Sequence, residues 1–204
     1  MLCARWYDLP QSIHIRPHTM RQLPLQTLTP VAFAPYGDVL GNPSIAELHG
    51  IPGETTSKGV LINAGTTEKI ALGEPDLTQS GGKPAFFLYR ASAVPLPFTA
   101  YMLERHCLGS QSFVPLSGVP FVVIVALGDK SVNAQGMVGA APQENTIAAF
   151  WVDGTCGVSF KPGTWHHPLL AQRSGDFVVL ERQSDSVDCE IKKLHEPVHI
   201  ESRL

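Results

Sequence analysis

Glu104-Arg105-His106-Cys107-Leu108-Gly109-Ser110-Gln111-Ser112-Phe113-Val114-Pro115-Leu116-Ser117-Gly118 is the stretch around which the rest of the chain reads. Glu104 and His106 stand two apart, so on an extended strand their side chains leave from one face while Arg105 leaves from the other. A Gly-Ser turn follows, and Gln111 to Pro115 suits a returning strand. Four residues separate His106 from Gln111, and six separate Gln111 from Gly118. A strand, a turn and a returning strand at this spacing direct a carboxylate, an imidazole and an amide toward one place.

That arrangement resembles the first motif of the cupin barrels. The usual motif opens with two histidines and later supplies a glutamate. Here Glu104 stands for the first histidine and Gln111 for the glutamate. Gly157 to Leu169 resembles the second cupin motif: a glycine, a short strand, the Pro162-Gly163 turn, then His166 three residues past that glycine. Two half-motifs in this order, about fifty residues apart, are harder to obtain by chance than either alone. The resemblance implies an all-β fold with minor helix, a cupin-like double-stranded β-barrel (jelly roll).

Composition agrees with many short strands. The chain has 204 residues, enough for one barrel with extensions, and is 44% hydrophobic and 16% charged, with 17 prolines and 18 glycines. A net charge of −3 offers no reason to expect nucleic acid or an anionic membrane as partner. No run approaches the roughly 18 to 20 apolar residues of a spanning helix. Cys3, Cys107, Cys156 and Cys189 form no CxxC pair, which favours reduced thiols in a cytoplasmic protein. Residues 1–20 lack the apolar core of a signal peptide and read as a disordered arm, leaving 21–204 as a single domain.

Along that domain, Leu23 and Leu25 begin a short strand, and Thr29-Pro30 reads as an N-cap with proline at the first helical position. Gly37 reads as the helix stop, with Phe33 and Tyr36 on one side. Gly41 to Ser57 is a long loop. Strand signals then recur at Val60–Asn63, Ala85–Arg90, Thr99–His106, Gln111–Pro115, Phe121–Leu127, Ile147–Val152, Val158–Lys161 and Phe177–Arg182. Phe121 to Leu127 is apolar without alternation, so both its faces are expected to be covered, one by the barrel interior and one by a second subunit. The tail after Asp185 gives no clear pattern.

A longer series of strings is more specific. Pro35-Tyr-Gly-Asp-Val39, Ile62-Asn63-x-Gly65, Glu104-Arg-His106-x-Leu-Gly-Ser-Gln111-x-Phe-x-Pro115, Phe121-Val-Val-Ile-Val-Ala126, Trp165-His-His-Pro-Leu169 and Asp176-Phe177 recur in this order in ureidoglycolate lyases. From about Leu23 to about Glu190 the chain resembles that family. The resemblance implies a homodimer that splits ureidoglycolate into glyoxylate and urea in allantoin breakdown, with nickel as the divalent metal. Several positions depart from the family's habit: Cys107 replaces a common proline, and Ala64 and Lys69 replace frequent glutamine and arginine.

Glu104, His106, Gln111 and His166 are the expected metal ligands, a nitrogen and oxygen set that suits several first-row divalent ions. For Gln111, a hydrogen bond to a neighbour is an equally open role. With one carboxylate the centre stays net positive and attracts an anionic substrate. Ionising the substrate hydroxyl lets the alkoxide collapse to an aldehyde and expel urea, whose nitrogen needs a proton. His167, beside His166, is the expected acid/base. On a strand it would face the opposite way, and only a turn or bulge between Pro162-Gly163 and Pro168 would bring it in, so a structural role outside the barrel stays open. Arg90 is the expected holder of the substrate carboxylate, and Asn63 and Lys69 of the ureido group. Arg105 should point outward to a salt bridge across a dimer. Asp176 and Arg182 either order the histidines or pair structurally. An amidohydrolase releasing ammonia and carbon dioxide, and a non-catalytic cupin sensor, are the competing functions.

Overall fold

A computed structural model describes residues 20–41 and 59–202. The expected N-terminal arm and the long loop lie outside the described residues, apart from Met20 and Gly41. In chain order the strands are β1 (Arg21–Gln22), β2 (Leu25–Thr27), β3 (Gly37–Leu40), β4 (Val60–Ile62), β5 (Thr67–Lys69), β6 (Lys83–Ala91), β7 (Phe98–Arg105) and β8 (Gln111–Pro115). They continue with β9 (Phe121–Ala126), β10 (Ala148–Val152), β11 (Gly157–Phe160), β12 (Trp165–His166), β13 (Leu170–Ala171), β14 (Gly175–Gln183) and β15 (Glu190–Ile200).

Two curled sheets face each other. One runs β1-β15-β7-β12-β9-β10-β2 with β13 beside β9, the other β3-β11-β8-β14-β6, and β4-β5 is a separate hairpin. This is the all-β, cupin-like architecture expected from the two half-motifs. Alternation along each strand builds the core between the sheets. Phe121, Val123, Val125 and Phe150 of the larger sheet meet Phe113, Val158, Phe160, Phe177 and Val179 of the smaller. Phe121 and Phe177 pack edge to face, with centroids 5.4 Å apart.

β9 is buried on both faces, as its unbroken apolar run predicts. The second covering comes from this chain itself. Val122, Ile124 and Ala126 pack with Leu23, Trp165, Leu194, Val198 and Ile200. The C-terminal strand, which the sequence left unplaced, thus does what a second subunit was expected to do. Its pattern is hard to read because the pairing of β15 with β7 shifts between Lys193 and Val198, so one alternation does not run its length.

The one α-helix among the described residues, α1 (Pro30–Phe33), starts as expected. The Ala32 N–H donates to Thr29 Oγ1 at 3.1 Å, Pro30 occupies the first turn, and Phe33 is buried against Tyr36 and Phe150. Gly37 is not its stop. The helix ends at Ala34, and Gly37 opens β3 where a Cβ would lie 1.9 Å from the Ser159 carbonyl oxygen. Close backbone approach, not a helix cap, requires that glycine. Cys107 and Cys156 carry free thiols, whereas Cys189 is bonded in a disulfide, so the expectation of reduced thiols does not extend to it.

Candidate metal centre and its cavity

Strand pairing brings the half-motifs together. His166 on β12 lies opposite Glu104 on β7, and His106 follows β7 directly. One donor atom from each of Glu104, His106 and His166 falls within 4.8 Å of the others. Glu104 Oε1 is 3.8 Å from His166 Nε2, and the two imidazoles are 5.4 Å apart. His166 stacks on Phe160 with a centroid distance of 4.3 Å, which sets its ring plane.

Backbone carbonyls set the tautomers. His166 Nδ1 donates to Thr164 O at 2.8 Å, and His106 Nδ1 donates to Asp188 O. With the proton held on Nδ1, both Nε2 lone pairs are available. Both Nε2 atoms are buried without a hydrogen-bond partner, as is Gln111 Oε1 in the same cavity. Burial, reinforced by His106 alongside, pushes the His166 imidazole down to about 3, so it stays neutral. Buried lone pairs without donors are costly, and a cation is the partner that satisfies several at once. The residues present therefore fit a divalent metal.

Four expected ligands, Glu104, His106, Gln111 and His166, line or border this one cavity. His166, also expected to be catalytic, is among them, whereas His167 and the expected substrate residues do not gather there. No bulge turns His167 inward. Its ring packs edge to face on Phe98, 5.1 Å away on the outer side of the larger sheet, and burial pushes it down to about 4. Arg90 lies exposed, paired with Asp176 through two hydrogen bonds of 3.0 and 3.1 Å, and borders a different depression. Asn63 and Lys69 sit on the β4-β5 hairpin, where Asn63 Nδ2 donates to Thr67 Oγ1 at 3.3 Å. Arg182 donates to Gln79 O and Ser80 O, so neither it nor Asp176 orders the histidines. Arg105 does point away from the cavity, but its salt bridge is within the chain. It is fully buried and bonds Glu190 at 3.0 Å, not a dimer partner.

Sequence reading missed Tyr89, Glu181 and Asp188, all of which line the cavity. Glu181 had a local signal, since it continues the inward face of Phe177 and Val179 and is the one charge on it. Asp188 had none. Its carboxylate accepts from the Cys107 and Leu108 N–H groups at 2.8 and 2.7 Å, which holds its own carbonyl against His106.

A family model described as ureidoglycolate lyase matches residues 20–201, a span that contains both sheets and every residue of the cavity. The chain belongs to the ureidoglycolate lyase family. Among its relatives, the ureidoglycolate lyase of Pseudomonas savastanoi pv. phaseolicola is 38% identical over 84% of this chain and 89% of its own. That of Burkholderia mallei is 39% identical over 81% of this chain and 85% of its own. The Pseudomonas fluorescens ureidoglycolate lyase is 36% identical over 84% and 90%. Membership in the ureidoglycolate lyase family makes the cavity between the two sheets the place to look for chemistry.

Proposed function

We propose that this enzyme cleaves ureidoglycolate into glyoxylate and urea, in the cytoplasm, using a divalent metal, nickel by family resemblance, held by Glu104, His106, Gln111 and His166. The observation that carries this reading is the convergence of buried, partnerless Nε2 atoms of His106 and His166 beside Glu104. When bound, the metal supplies Lewis acidity toward the carboxylate and hydroxyl of the substrate.

The chain's own residues have separate tasks. Thr164 O and Asp188 O hold the two imidazoles in the ligating tautomer. Phe87, Phe113 and Leu169 give the cavity apolar walls that limit water around the ionised substrate. The leaving nitrogen of urea needs a proton. The Tyr89 phenol lines the cavity, and from it a proton can reach that nitrogen directly or through one water. Burial and the neighbouring Glu181 hold the Tyr89 phenol well above its ordinary range, so it carries its proton throughout the working pH.

The family's homodimer belongs to the same proposal. Phe86 and Leu88, 74% and 56% exposed on the outer face of β6, offer apolar surface for a second copy. Among the described residues no helix is long and apolar enough to cross a membrane.

The decisive experiment incubates metal-stripped and metal-restored protein with ureidoglycolate and measures glyoxylate, urea and ammonia together. Equal amounts of glyoxylate and urea from the restored protein are expected. Ammonia appearing without added urease points to the amidohydrolase and overturns the lyase reading.

A further inference from the structure

Gln111 reaches the cavity in one orientation only. Its Nε2 donates to Glu181 Oε2 at 2.7 Å, while its Oε1 is buried and has no hydrogen-bond partner. Turning the amide over would set its oxygen against the Glu181 carboxylate, acceptor facing acceptor, and would point two N–H donors at the space shared with Glu104, His106 and His166. Glu181 is itself held. Its Oε2 also accepts from the Tyr89 phenol at 3.2 Å, and Tyr89 packs edge to face on Phe113 with centroids 6.0 Å apart. Glu181 and Gln111 face each other directly across β14 and β8, so the pair is set by sheet register rather than by a loop.

We infer that Glu181 is a positioning residue that fixes the Gln111 amide so that its Oε1, not its NH2, is presented to the cation. The inference rests on the cation reading above and deepens it. A free glutamine is a poor ligand because either end can face the ion. Anchoring the nitrogen by a charged acceptor removes the unproductive orientation before the ion arrives. The cavity thereby gains a fourth, neutral donor, and only one of its two glutamates touches the metal. The other contributes negative charge without occupying a coordination position.

The test uses Co2+ as probe on the full chain, reading affinity by titration and coordination by the visible absorption of the bound ion. Glu181→Ala and Glu181→Met are carried together, so that a folded variant lacking the acceptor is in hand, with thermal melts of the metal-free proteins as the folding check. Loss of the acceptor is expected to weaken Co2+ binding about 10- to 100-fold and to change the absorption spectrum. Glu181→Gln, whose carbonyl still accepts from the Gln111 amide, is expected to restore most of the affinity. Gln111→Ala and the Gln111→Ala/Glu181→Met double variant are expected to bind alike, because Glu181 acts through Gln111. Unaltered affinity and spectrum in the folded Glu181 variants, or additive losses in the double variant, overturn the inference while the cation reading stands. Absence of Co2+ binding by the unaltered protein overturns both.

Discussion

Arg105 and Trp165 share one hydrogen-bond acceptor. Arg105 Nη1 and Trp165 Nε1 both donate to the Gly139 carbonyl, at 2.5 and 2.9 Å, and the guanidinium lies over the indole, 4.9 Å from its centroid. Arg105 stands between Glu104 and His106, and Trp165 directly precedes His166. Because side chains alternate along a strand, this clamp occupies the reverse face of the sheet from the candidate ligands and ties β7 to β12 behind them.

Glu190 completes the clamp, so its loss should be felt in the stability of the fold. Glu190→Ala leaves a fully buried guanidinium without its carboxylate. The expected cost is about 1.5–3 kcal/mol, the range for hydrogen bonds to charged groups, since Glu190 itself remains partly in water. Urea unfolding of the metal-free protein measures it, and a change under about 0.5 kcal/mol, the scatter of ordinary surface substitutions, would dismiss the clamp as a stabilising element.

Asp188 should act through His106. Removing its carboxylate in Asp188→Ala frees the Cys107 and Leu108 N–H groups and releases the carbonyl that holds His106 Nδ1. Metal affinity is expected to fall about 10- to 100-fold with the melting temperature little changed. Equal affinity in variant and unaltered protein would show that the His106 tautomer needs no such support.

His167 and His166 should separate cleanly. His166→Ala, like Glu104→Ala, is expected to lose both bound metal and turnover. His167→Asn should keep both near their original levels, because its ring packs on Phe98 outside the cavity. A large drop in kcat for His167→Asn with metal content intact would restore it as the acid/base.

Stability of the metal-free protein should depend on pH in one direction. Burial holds His166 down to about 3 and His167 to about 4, against an ordinary 6.5. Between those values and 6.5 the unfolded chain binds the protons that the folded chain refuses. Stability from these groups is therefore complete above about pH 6.5 and declines as the pH falls toward 4 and then 3. Urea midpoints measured from pH 7.5 down to 4.5 should decrease steadily, and less steeply in His167→Asn. Equal slopes in the two proteins would remove His167 from the account.

Periodicity of two, turn residues and the two half-motifs were enough to place most strands, the N-cap at Thr29 and the pairing of Glu104 with His106 on one face, because each of these is a local property of the backbone. The same alternation also says that Arg105, Trp165 and His167 leave from the face opposite their candidate-ligand neighbours. What each side chain meets is not local. Arg105 finds Glu190, His106 finds Asp188, and Gln111 finds Glu181, at separations of 85, 82 and 70 residues. Those partners are chosen by which strands lie side by side, and no window of the chain contains both members. For the same reason Arg90 and Asn63, chemically suited to a substrate, stand apart from the cavity, while Glu181, an unremarked charge at the end of an apolar face, lines it.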